Sequence, residues 1–545
     1  MRLSVCFALL SAAAFGQSAA PAPKFDAADV HVSARTNQPV VRGPFFANGR
    51  YELRFATMVD LVRTAYGVEP ERVYGGPTWL EMDRFDVFAK VPSGSTAQSR
   101  RLMLQTLLAD RFHLTTHADN RSTPALALTA KRSSLKESEG TGDGACTFNV
   151  QNAPQQQPTP GTPIQLPVIL YTCHNMTMEA FAAGMLNLAG AAQYFNSTAV
   201  VDRTELKGAF DFNFKFTPKV PAGISVTGEQ MPLPDALEKQ LGLKLEAATV
   251  PMPGVVVDSV DRKPVANPPE TGKDFPPLPT EFEVADIKPS APDPTGGTGI
   301  LPRPDVKNGR LYVPGITLKN LIQLAWDLNG DEFLVGAPKW LDEEKFDILA
   351  KAPAGVALGD LTPSRSGISV NIDALRPMIR SMITERFQMA SHMEDRPVNT
   401  YILMAAKPKL KKADPASRTR WQDGVLPDTK SKNANTALGR LVTCQNVSMA
   451  QFAELLPGIA PGYIHTTVVD STGLEGGWDF TFSFSPQGAL QLAKPKGEDD
   501  LASDPNGAVS LFDAIAKQLG LKLETQKRPT PVLVIDKIER KPTDN

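Results

Sequence analysis

Histidine and cysteine, which catalytic and metal sites use heavily, are scarce in this sequence. Its 545 residues include 6 histidines and 4 cysteines, and no Cys-x-x-Cys pair occurs. Without that pair, neither a zinc knuckle nor a thioredoxin-like redox site is encoded. The motifs Gly-x-Ser-x-Gly and His-Glu-x-x-His are also missing, so the sequence lacks the signatures of two large hydrolase classes.

An excess of charge of one sign is missing as well. The 57 lysines and arginines nearly balance the 59 aspartates and glutamates, which leaves a net charge of −2. The basic residues are dispersed rather than interleaved with aromatic residues. The sequence therefore carries no electrostatic footprint for nucleic acid or for an anionic membrane.

Long hydrophobic runs are missing except at the start of the chain. The apolar stretch Leu3–Phe15 follows Arg2, is too short for a stable membrane span, and ends in Ala14-Phe15-Gly16. This pattern predicts a signal peptide over residues 1–16. We therefore expect an exported protein, periplasmic or extracellular, with no transmembrane segment in the mature chain.

Three cysteines remain after the predicted signal peptide, namely Cys146, Cys173 and Cys444. Export would place them where disulfides persist. Cys146 and Cys173 are close enough in sequence to pair across a loop, and Cys444 is then the odd thiol. We predict a Cys146–Cys173 disulfide, and no metal site or cofactor.

What the sequence does contain is an internal duplication. Matching segments follow in the same order twice: KFDAADV and EFEVADI, TCHNMTMEAF and TCQNVSMAQF, DALEKQLGLKLE and DAIAKQLGLKLE. Such self-similarity indicates repeated structural units. We predict a first copy over residues 24–264, a second copy over 281–542, and a semi-extended Pro-rich linker over 265–280.

Strand and helix patterns alternate within each copy. In the second copy, Thr317 is the predicted N-cap of a helix in TLKNLIQLAWDL, and a helix in DALRPMIRSMITERF has Pro377 in its first turn. QMASHMEDR and NTYILMAA are predicted as two strands joined by a proline turn, and LKLETQK and PVLVIDKIE as two further strands. Each copy then holds two β-α-β-β-α-β-β units. This order predicts an α+β fold of ferredoxin-like units, with helices on one face of a mostly antiparallel sheet.

Longer segments of the second copy suggest a family. EFEVADIKPSAPDP, GAPKWLDEEKFDILAKAP and LFDAIAKQLGLKLETQKRPTPVLVIDKIERKPTDN resemble the soil-associated protein family that is expanded in Acidobacteria. The resemblance covers essentially all of both copies. It implies an exported domain of unknown function in two tandem copies, and it supplies no catalytic residues. Similar domains are joined in some proteins to membrane-embedded metallopeptidases, whose His-Glu-x-x-His motif this chain lacks.

A row of histidine, carboxylate and arginine occurs in both copies at spacing i, i+2, i+4. The residues are His117, Asp119 and Arg121, and His392, Glu394 and Arg396. On a strand, this spacing places the three side chains on one face. Such a row can bind an anionic ligand or position a proton, and the alternative is a solvated strip of weakly paired charges.

Trp79 and Trp340 occupy matching GxPxWL segments. An indole held by a Gly/Pro turn can stack on a sugar or a peptide. The alternative is that each tryptophan fills the end of a small core, which is the more common role.

Four aspartates recur beside aromatic residues at the start of strand patterns: Asp86, Asp211, Asp347 and Asp479. Paired carboxylates can perform acid–base hydrolysis. We favour a structural role, because an aspartate is expected at such solvent-facing positions.

Two hypotheses about function follow from these patterns. The first is a non-catalytic module that binds a protein, peptide or small molecule outside the cytoplasm, for example by adding an extended peptide to an exposed sheet edge. The second is a secreted hydrolase, or a peptidase-associated accessory or sensor protein, with its site at the His-carboxylate-Arg row. A row that converges in a concave pocket in both copies would favour the enzyme, and a flat, solvated row would favour binding.

Overall fold

Two copies of one α+β arrangement, joined by a short connecting segment, make up the chain. The computed structural model describes residues 22–34, 40–130, 135–140, 144–151, 164–195, 198–219, 226–228, 230–275, 277–291, 305–307, 309–354, 356, 358, 370–425, 439–487 and 509–543. The predicted signal peptide, residues 1–16, lies outside this range.

Copy one is built from two halves. The elements of its first half are β1 (Ala27–Val32), β2 (Arg42–Ala47), β3 (Arg50–Thr57), α1 (Met58–Tyr66), β4 (Val73–Gly75), β5 (Arg84–Lys90), α2 (Ala97–Phe112) and β6 (Thr115–Ala130). Those of its second half are β7 (Lys136–Glu137), β8 (Ala145–Gln151), β9 (Ile164–Gln165), β10 (Val168–Thr177), α3 (Met178–Gly184), α4 (Ala192–Phe195), β11 (Val200–Asp202), β12 (Ala209–Phe216), β13 (Val226–Thr227), α5 (Leu233–Ala236) and β14 (Leu243–Ser259). A short helix, α6 (Thr271–Asp274), lies in the connecting segment.

Copy two repeats the plan. The elements of its first half are β15 (Val284–Pro289), β16 (Asp305–Lys307), β17 (Arg310–Thr317), α7 (Leu318–Trp326), β18 (Leu334–Val335), α8 (Trp340–Glu343), β19 (Lys345–Lys351), α9 (Ile372–Arg386) and β20 (Ala390–Ala405). Those of its second half are β21 (Lys411–Lys412), β22 (Arg420–Val425), β23 (Arg440–Val447), α10 (Met449–Ile459), β24 (Val468–Asp470), β25 (Trp478–Phe484), α11 (Leu511–Ala514) and β26 (Leu521–Lys537).

Within the described residues, each copy has three four-stranded sheets, and copy one has in addition a two-stranded sheet of β9 and β13. In copy one the strand orders are β1-β5-β3-β2, β7-β12-β10-β8 and β11-β6-β14-β4, and copy two has the equivalent orders. The pairs are mostly antiparallel, but β11 and β4 pair in parallel at the two ends of the third sheet. The α+β class is thus confirmed, whereas the ferredoxin-like unit is not, because the last strands of both halves merge into a sheet of their own.

That third sheet is dominated by one long antiparallel strand pair per copy, which we call the ribbon. In copy one, β6 pairs with β14 from Thr115↔Ser259 to Ala130↔Leu243, and in copy two β20 pairs with β26 in the same way. The predicted turns at the prolines are therefore wrong. Pro397 faces Pro529 inside the continuous ribbon of copy two. Neither proline can donate a hydrogen bond. The two therefore form a non-hydrogen-bonded pair, in which the backbone nitrogens point away from the partner strand.

Each half has its own hydrophobic core beneath its helices. Val255 and Val257, near the end of β14, complete the core of the first half, whereas Leu243 at its start belongs to the core of the second half. The segments that repeat DALEKQLGLKLE form a short helix, a π-helical turn and the first residues of β14 or β26. Their apolar side chains pack in these cores, which explains the spacing of the leucines.

A capped helix follows a bulged strand in all four halves. The N-cap hydroxyls accept from the third helical N–H, and the caps are Thr57, Thr177, Thr317 and Ser448. The prediction of Thr317 as a cap is confirmed. Pro377, in contrast, lies in the second turn of α9, because the helix begins at Ile372 with Asn371 as its cap.

The four recurring aspartates hold these bulges in place. Two residues before each N-cap, a residue with positive φ donates its N–H to the aspartate on the neighbouring strand at 2.7–2.9 Å. The pairs are Phe55 with Asp86, Asn175 with Asp211, Gly315 with Asp347, and Asn446 with Asp479. These carboxylates thus have a structural role, and its fourfold recurrence agrees with four related halves.

The predicted linker is partly folded onto copy one. The N–H of Val265 donates to the carbonyl of Arg111 at 2.7 Å, and the Arg111 guanidinium donates back to the Val265 carbonyl. Arg386 and Thr543 repeat the same exchange at the end of copy two. The start of the connecting segment is therefore the tail of copy one, equivalent to the tail of copy two.

The two copies pack against each other through polar contacts. Arg418 of copy two donates to the carbonyls of Val73 and Gly75 and forms an ion pair with Glu81 of copy one at 3.1 Å. A second contact links Asn371, which is 1% exposed, with Glu52, which is 2% exposed. These contacts set the position of copy one beside both halves of copy two.

Candidate functional site

Each ribbon leaves one strand edge open over half its length. In copy two, β24 pairs with β20 only at Tyr401–Leu403, and no third strand of the described chain pairs with residues 391–397. In the described part of copy one, β11 pairs with β6 only at Leu126–Leu128, which leaves residues 116–124 without a strand on that side. An open edge presents backbone N–H and C=O groups that another strand can pair with.

The direction of these backbone groups follows from the proline pair. Residues 391, 393 and 395 are an even number of positions from Pro397 along β20. Because N–H groups alternate in direction along a strand, theirs also point away from β26. Tyr401 is likewise an even number of positions from Pro397 and donates its N–H outward to the carbonyl of Thr467, just before β24. The open part of β20 therefore lies on the same edge that β24 pairs with farther along the strand.

The His-carboxylate-Arg row of copy one lies on this edge strand. The His117 imidazole is 2.9 Å from Asp258 on β14, and Arg121 donates to Asp119 at 2.8 Å. The Arg121 guanidinium also lies over the ring of Tyr74, 4.2 Å from its centroid. All members of the row are solvated, with His117 57% exposed and Arg121 51% exposed at the side chain.

Copy two repeats the geometry. His392 is 2.9 Å from Asp536, and Arg396 forms an ion pair with Glu394 at 3.0 Å. Met393, which lies between His392 and Glu394 in the sequence, is 53% exposed. The row lies flat on the ribbon, and none of its residues lines the three principal cavities. Within the described chain, no cluster of three or more His, Cys, Asp or Glu residues could hold a metal ion.

The two tryptophans lie at the edges of cores. Trp79 packs against the core of the first half of copy one, with its ring 6.3 Å from Phe85 in an edge-to-face arrangement. Trp340 begins α8 and packs against the equivalent core of copy two. This packing favours the core-filling interpretation over a stacking site.

The predicted disulfide is present. Cys146 and Cys173 are direct partners on β8 and β10, and their sulfurs are bonded. In copy two, Trp421 takes the place of the first cysteine opposite Cys444. Burial raises the pKa of the Cys444 thiol to about 12, so this cysteine is an inert core residue rather than a nucleophile.

Ser138, His174 and Asp211 line one small cavity and are the residue types of a serine hydrolase. Their hydrogen bonds instead hold the bulge before α3 in place. Asp211 accepts from Asn175 and Ser138, which hold its pKa below the ordinary value, and His174 is 71% exposed and 3.7 Å from the carboxylate. Because the serine bonds to the aspartate and not to the histidine, nothing activates it as a nucleophile.

The largest of the three cavities lies between the copies, and sequence reasoning missed it. Its volume is 950 Å³, and its wall combines Arg42 and Phe55 of copy one with the loop after α7 and with residues from α9, α10 and β24 of copy two. Burial lowers the pKa of Arg84 beside this wall, and Asp60 and Glu454 oppose that effect. No signal in the sequence pointed to this cavity, because its wall combines residues from distant parts of the chain.

Comparison with known proteins gives a family. Residues 59–260 and 319–538 match a family model described as protein of unknown function (DUF3738). The chain belongs to this family. The two matched regions confirm the tandem duplication in this DUF3738 protein. No curated protein and no solved structure matches the chain. Among the described residues, no helix has the length and hydrophobicity required to cross a bilayer.

Proposed function

We propose that this DUF3738 protein is a non-catalytic binding protein that acts outside the cytoplasm and takes up an extended peptide on its open ribbon edges. One observation carries the proposal: no described strand pairs with the same stretch of edge strand in either copy, and a short strand of the chain pairs with the next part of that edge. Main-chain hydrogen bonds would supply affinity, and side chains of alternate residues would supply specificity.

The side chains on the open edge fit selective rather than indiscriminate pairing. Alternating acidic and basic groups, with Pro397 or Pro124 at the end, discourage edge-to-edge aggregation. A partner strand with complementary charges would still be accommodated. The flat, solvated His-carboxylate-Arg rows support binding over hydrolysis, since their residues line none of the three principal cavities of the described chain.

The predicted export is supported by the disulfide, because such bonds persist in oxidising compartments. The signal peptide at residues 1–16 is part of this proposal. Secretion of a reporter fused to the first residues of the chain tests it directly, and retention of the reporter in the cytoplasm would contradict it.

Strand addition is tested by removing outward N–H groups without touching the ribbon. Asn120 and Asp395 face Pro253 and Pro531, so each has an outward N–H. We expect a phage-displayed library of random peptides to yield binders to the parent protein that fail to bind the Asn120→Pro/Asp395→Pro variant. Affinity of a selected peptide, measured by biolayer interferometry, should fall at least about tenfold, the loss expected for two hydrogen bonds.

The matched control is Asn120→Ala/Asp395→Ala, which removes the same side chains and keeps both N–H groups. Peptides should bind this variant nearly as well as the parent. Equal binding to the proline and alanine variants would refute strand addition on these edges, and so would a library that yields no binder.

A further inference from the structure

The open edge of β20 in copy two carries a pattern of charge that is complementary to itself. Along residues 391–396, no strand of the described chain pairs with the outer side of β20, and His392, Met393 and Glu394 are exposed. The histidine and the glutamate flank the methionine and lie on one face of the strand. When two such strands pair in antiparallel fashion around Met393, the histidine of each strand lies opposite the glutamate of the other.

The backbone of the edge fits this register. The outward N–H groups of Ser391, Met393 and Asp395 are available for pairing. With Met393 at the centre, each Met393 lies opposite its equivalent in the other strand, and Ser391 lies opposite Asp395. Each of these pairs exchanges two backbone hydrogen bonds. His392 and Glu394 form the intervening pairs without backbone bonds, in which opposite side chains lie closest.

Charge disfavours the neighbouring registers of two identical β20 strands. A pairing centred on Glu394 places that glutamate opposite itself and His392 opposite Arg396. Pairings centred on His392 and on Asp395 likewise place each of these residues opposite itself. Like charges directly opposite each other destabilise a strand pair. The edge therefore favours a single two-fold contact, which closes a dimer instead of adding strands without limit.

The equivalent edge of copy one lacks this selectivity. Ala118 occupies the place of Met393 there, and Asn120 that of Asp395. Met393 is 53% exposed, and pairing around it would remove two such apolar side chains from water. We infer that the β20 edge binds the same edge of a second copy of this chain and forms a homodimer. The dimer rests on the proposed strand addition, since the second chain supplies the added strand.

Sedimentation velocity of the full chain at pH 6 and low ionic strength tests the dimer, because acid favours the charged form of histidine. We expect a monomer–dimer equilibrium at concentrations up to about 0.1 mM. His392→Glu places glutamates opposite each other, and Glu394→His places histidines opposite each other. Each substitution should raise the dissociation constant at least about tenfold, because an attractive pair becomes repulsive on both sides of the two-fold axis.

Mixing the two variants gives a sharper test. In an equimolar mixture, each glutamate of one variant at these positions lies opposite a histidine of the other, so association should return to near the parent level. The matched control is His117→Glu, which makes the same change on the edge of copy one. His117 contacts Asp258 as His392 contacts Asp536, so the local cost of the substitution is similar. The control should leave the dissociation constant unchanged.

Three outcomes would each overturn the homodimer: a parent chain that stays monomeric up to about 0.1 mM, a mixture no more associated than either variant alone, or an equal loss in His117→Glu. If the parent is monomeric while selected peptides still require the outward N–H of Asp395, strand addition stands and only the homodimer is wrong. Peptides that bind the Asn120→Pro/Asp395→Pro variant as well as the alanine variant would instead remove the strand addition on which the dimer rests.

Discussion

Asp86, Asp211, Asp347 and Asp479 show how one residue type maintains a backbone feature in all four halves. Each carboxylate accepts the N–H of a residue with positive φ, and three of those four residues are not glycine. A left-handed conformation costs a residue with a side chain about 1 kcal/mol or more. A charge-assisted hydrogen bond to the carboxylate offsets that penalty.

Acid should weaken this bond at Asp211. Hydrogen bonds from Asn175 and Ser138 hold its pKa below the ordinary value of 3.8. The unfolded chain therefore binds more protons than the folded chain as the pH falls through this range. The stabilisation is fully present above the ordinary pKa and is lost as the pH falls through the depressed folded value. We expect the urea midpoint, followed by circular dichroism, to decrease between about pH 5 and pH 3.

Asp211→Asn should make this decrease shallower, because the amide does not titrate. Asp235→Asn is the control, since Asp235 lies in the same half and is exposed on α5. An Asp211→Asn profile with the parent slope would contradict the assignment.

The sequence predicted a structural role for these aspartates but not their partners, and the prediction that they face solvent was wrong, since Asp86 is only 8% exposed. A strand pattern is visible because apolar residues alternate. A bulge is not visible, because only Gly315 among the four bulged residues signals a positive φ.

At the scale of elements, proline position explains why the ribbons are continuous. The prolines within the paired ribbon strands are Pro124, Pro251, Pro253, Pro397, Pro529 and Pro531. Within each copy they all fall on pairs of one parity, where N–H groups point away from the partner strand. The sequence predicted breaks in the strands at these prolines. Whether a proline nitrogen points toward or away from the partner strand is known only once the register between the two distant strands is known.

A new proline should cost less stability at a ribbon position whose N–H points outward than at one whose N–H bonds to the partner strand. Asp395→Pro places a proline where the N–H points outward, and we expect a loss of less than about 1 kcal/mol in unfolding free energy. Glu394→Pro removes an N–H that bonds to β26 and should cost about 2–3 kcal/mol. Chemical unfolding in urea measures both, and equal losses would show that the register is wrong.

At the scale of the whole molecule, buried polar groups fix the arrangement of the copies. Asp373 lies near three guanidinium groups, those of Arg42, Arg54 and Arg376, while one of its oxygens is buried without a hydrogen bond. Such networks add little net stability but specify one geometry, because any other arrangement leaves buried charges unpaired.

We expect the two copies to stay associated after the chain is cut between them. A protease site inserted at Pro277–Pro279 lies beyond the tail that Arg111 holds, so each fragment keeps its own core. The fragments should co-elute in size-exclusion chromatography. Arg418→Ala should weaken their association by about 2–4 kcal/mol, because it removes the hydrogen bonds to two carbonyls and the shorter of the two ion pairs of Glu81.

Arg528→Ala is the control, because Arg528 is on the ribbon of copy two and its side chain donates to Gln526 of the same strand. It should leave the association unchanged. Fragments that separate without any substitution would show that the connecting segment alone holds the copies together.

Duplication and most helices followed from repeated segments and apolar spacing, which are local properties. The cavity between the copies did not follow, because it depends on contacts between residues more than 300 positions apart, such as Arg42 with Asp373. Side-chain pairing across such distances is not written in any local pattern.

The ribbon also determines the order in which each copy can mature during synthesis. Val255 and Val257 complete the core of the first half, yet they emerge only after the entire second half has been made. The first half must wait with apolar surface exposed, in a state on which chaperones act. A chain that crosses a membrane before folding would avoid this delay, because all of β14 would be available when folding begins.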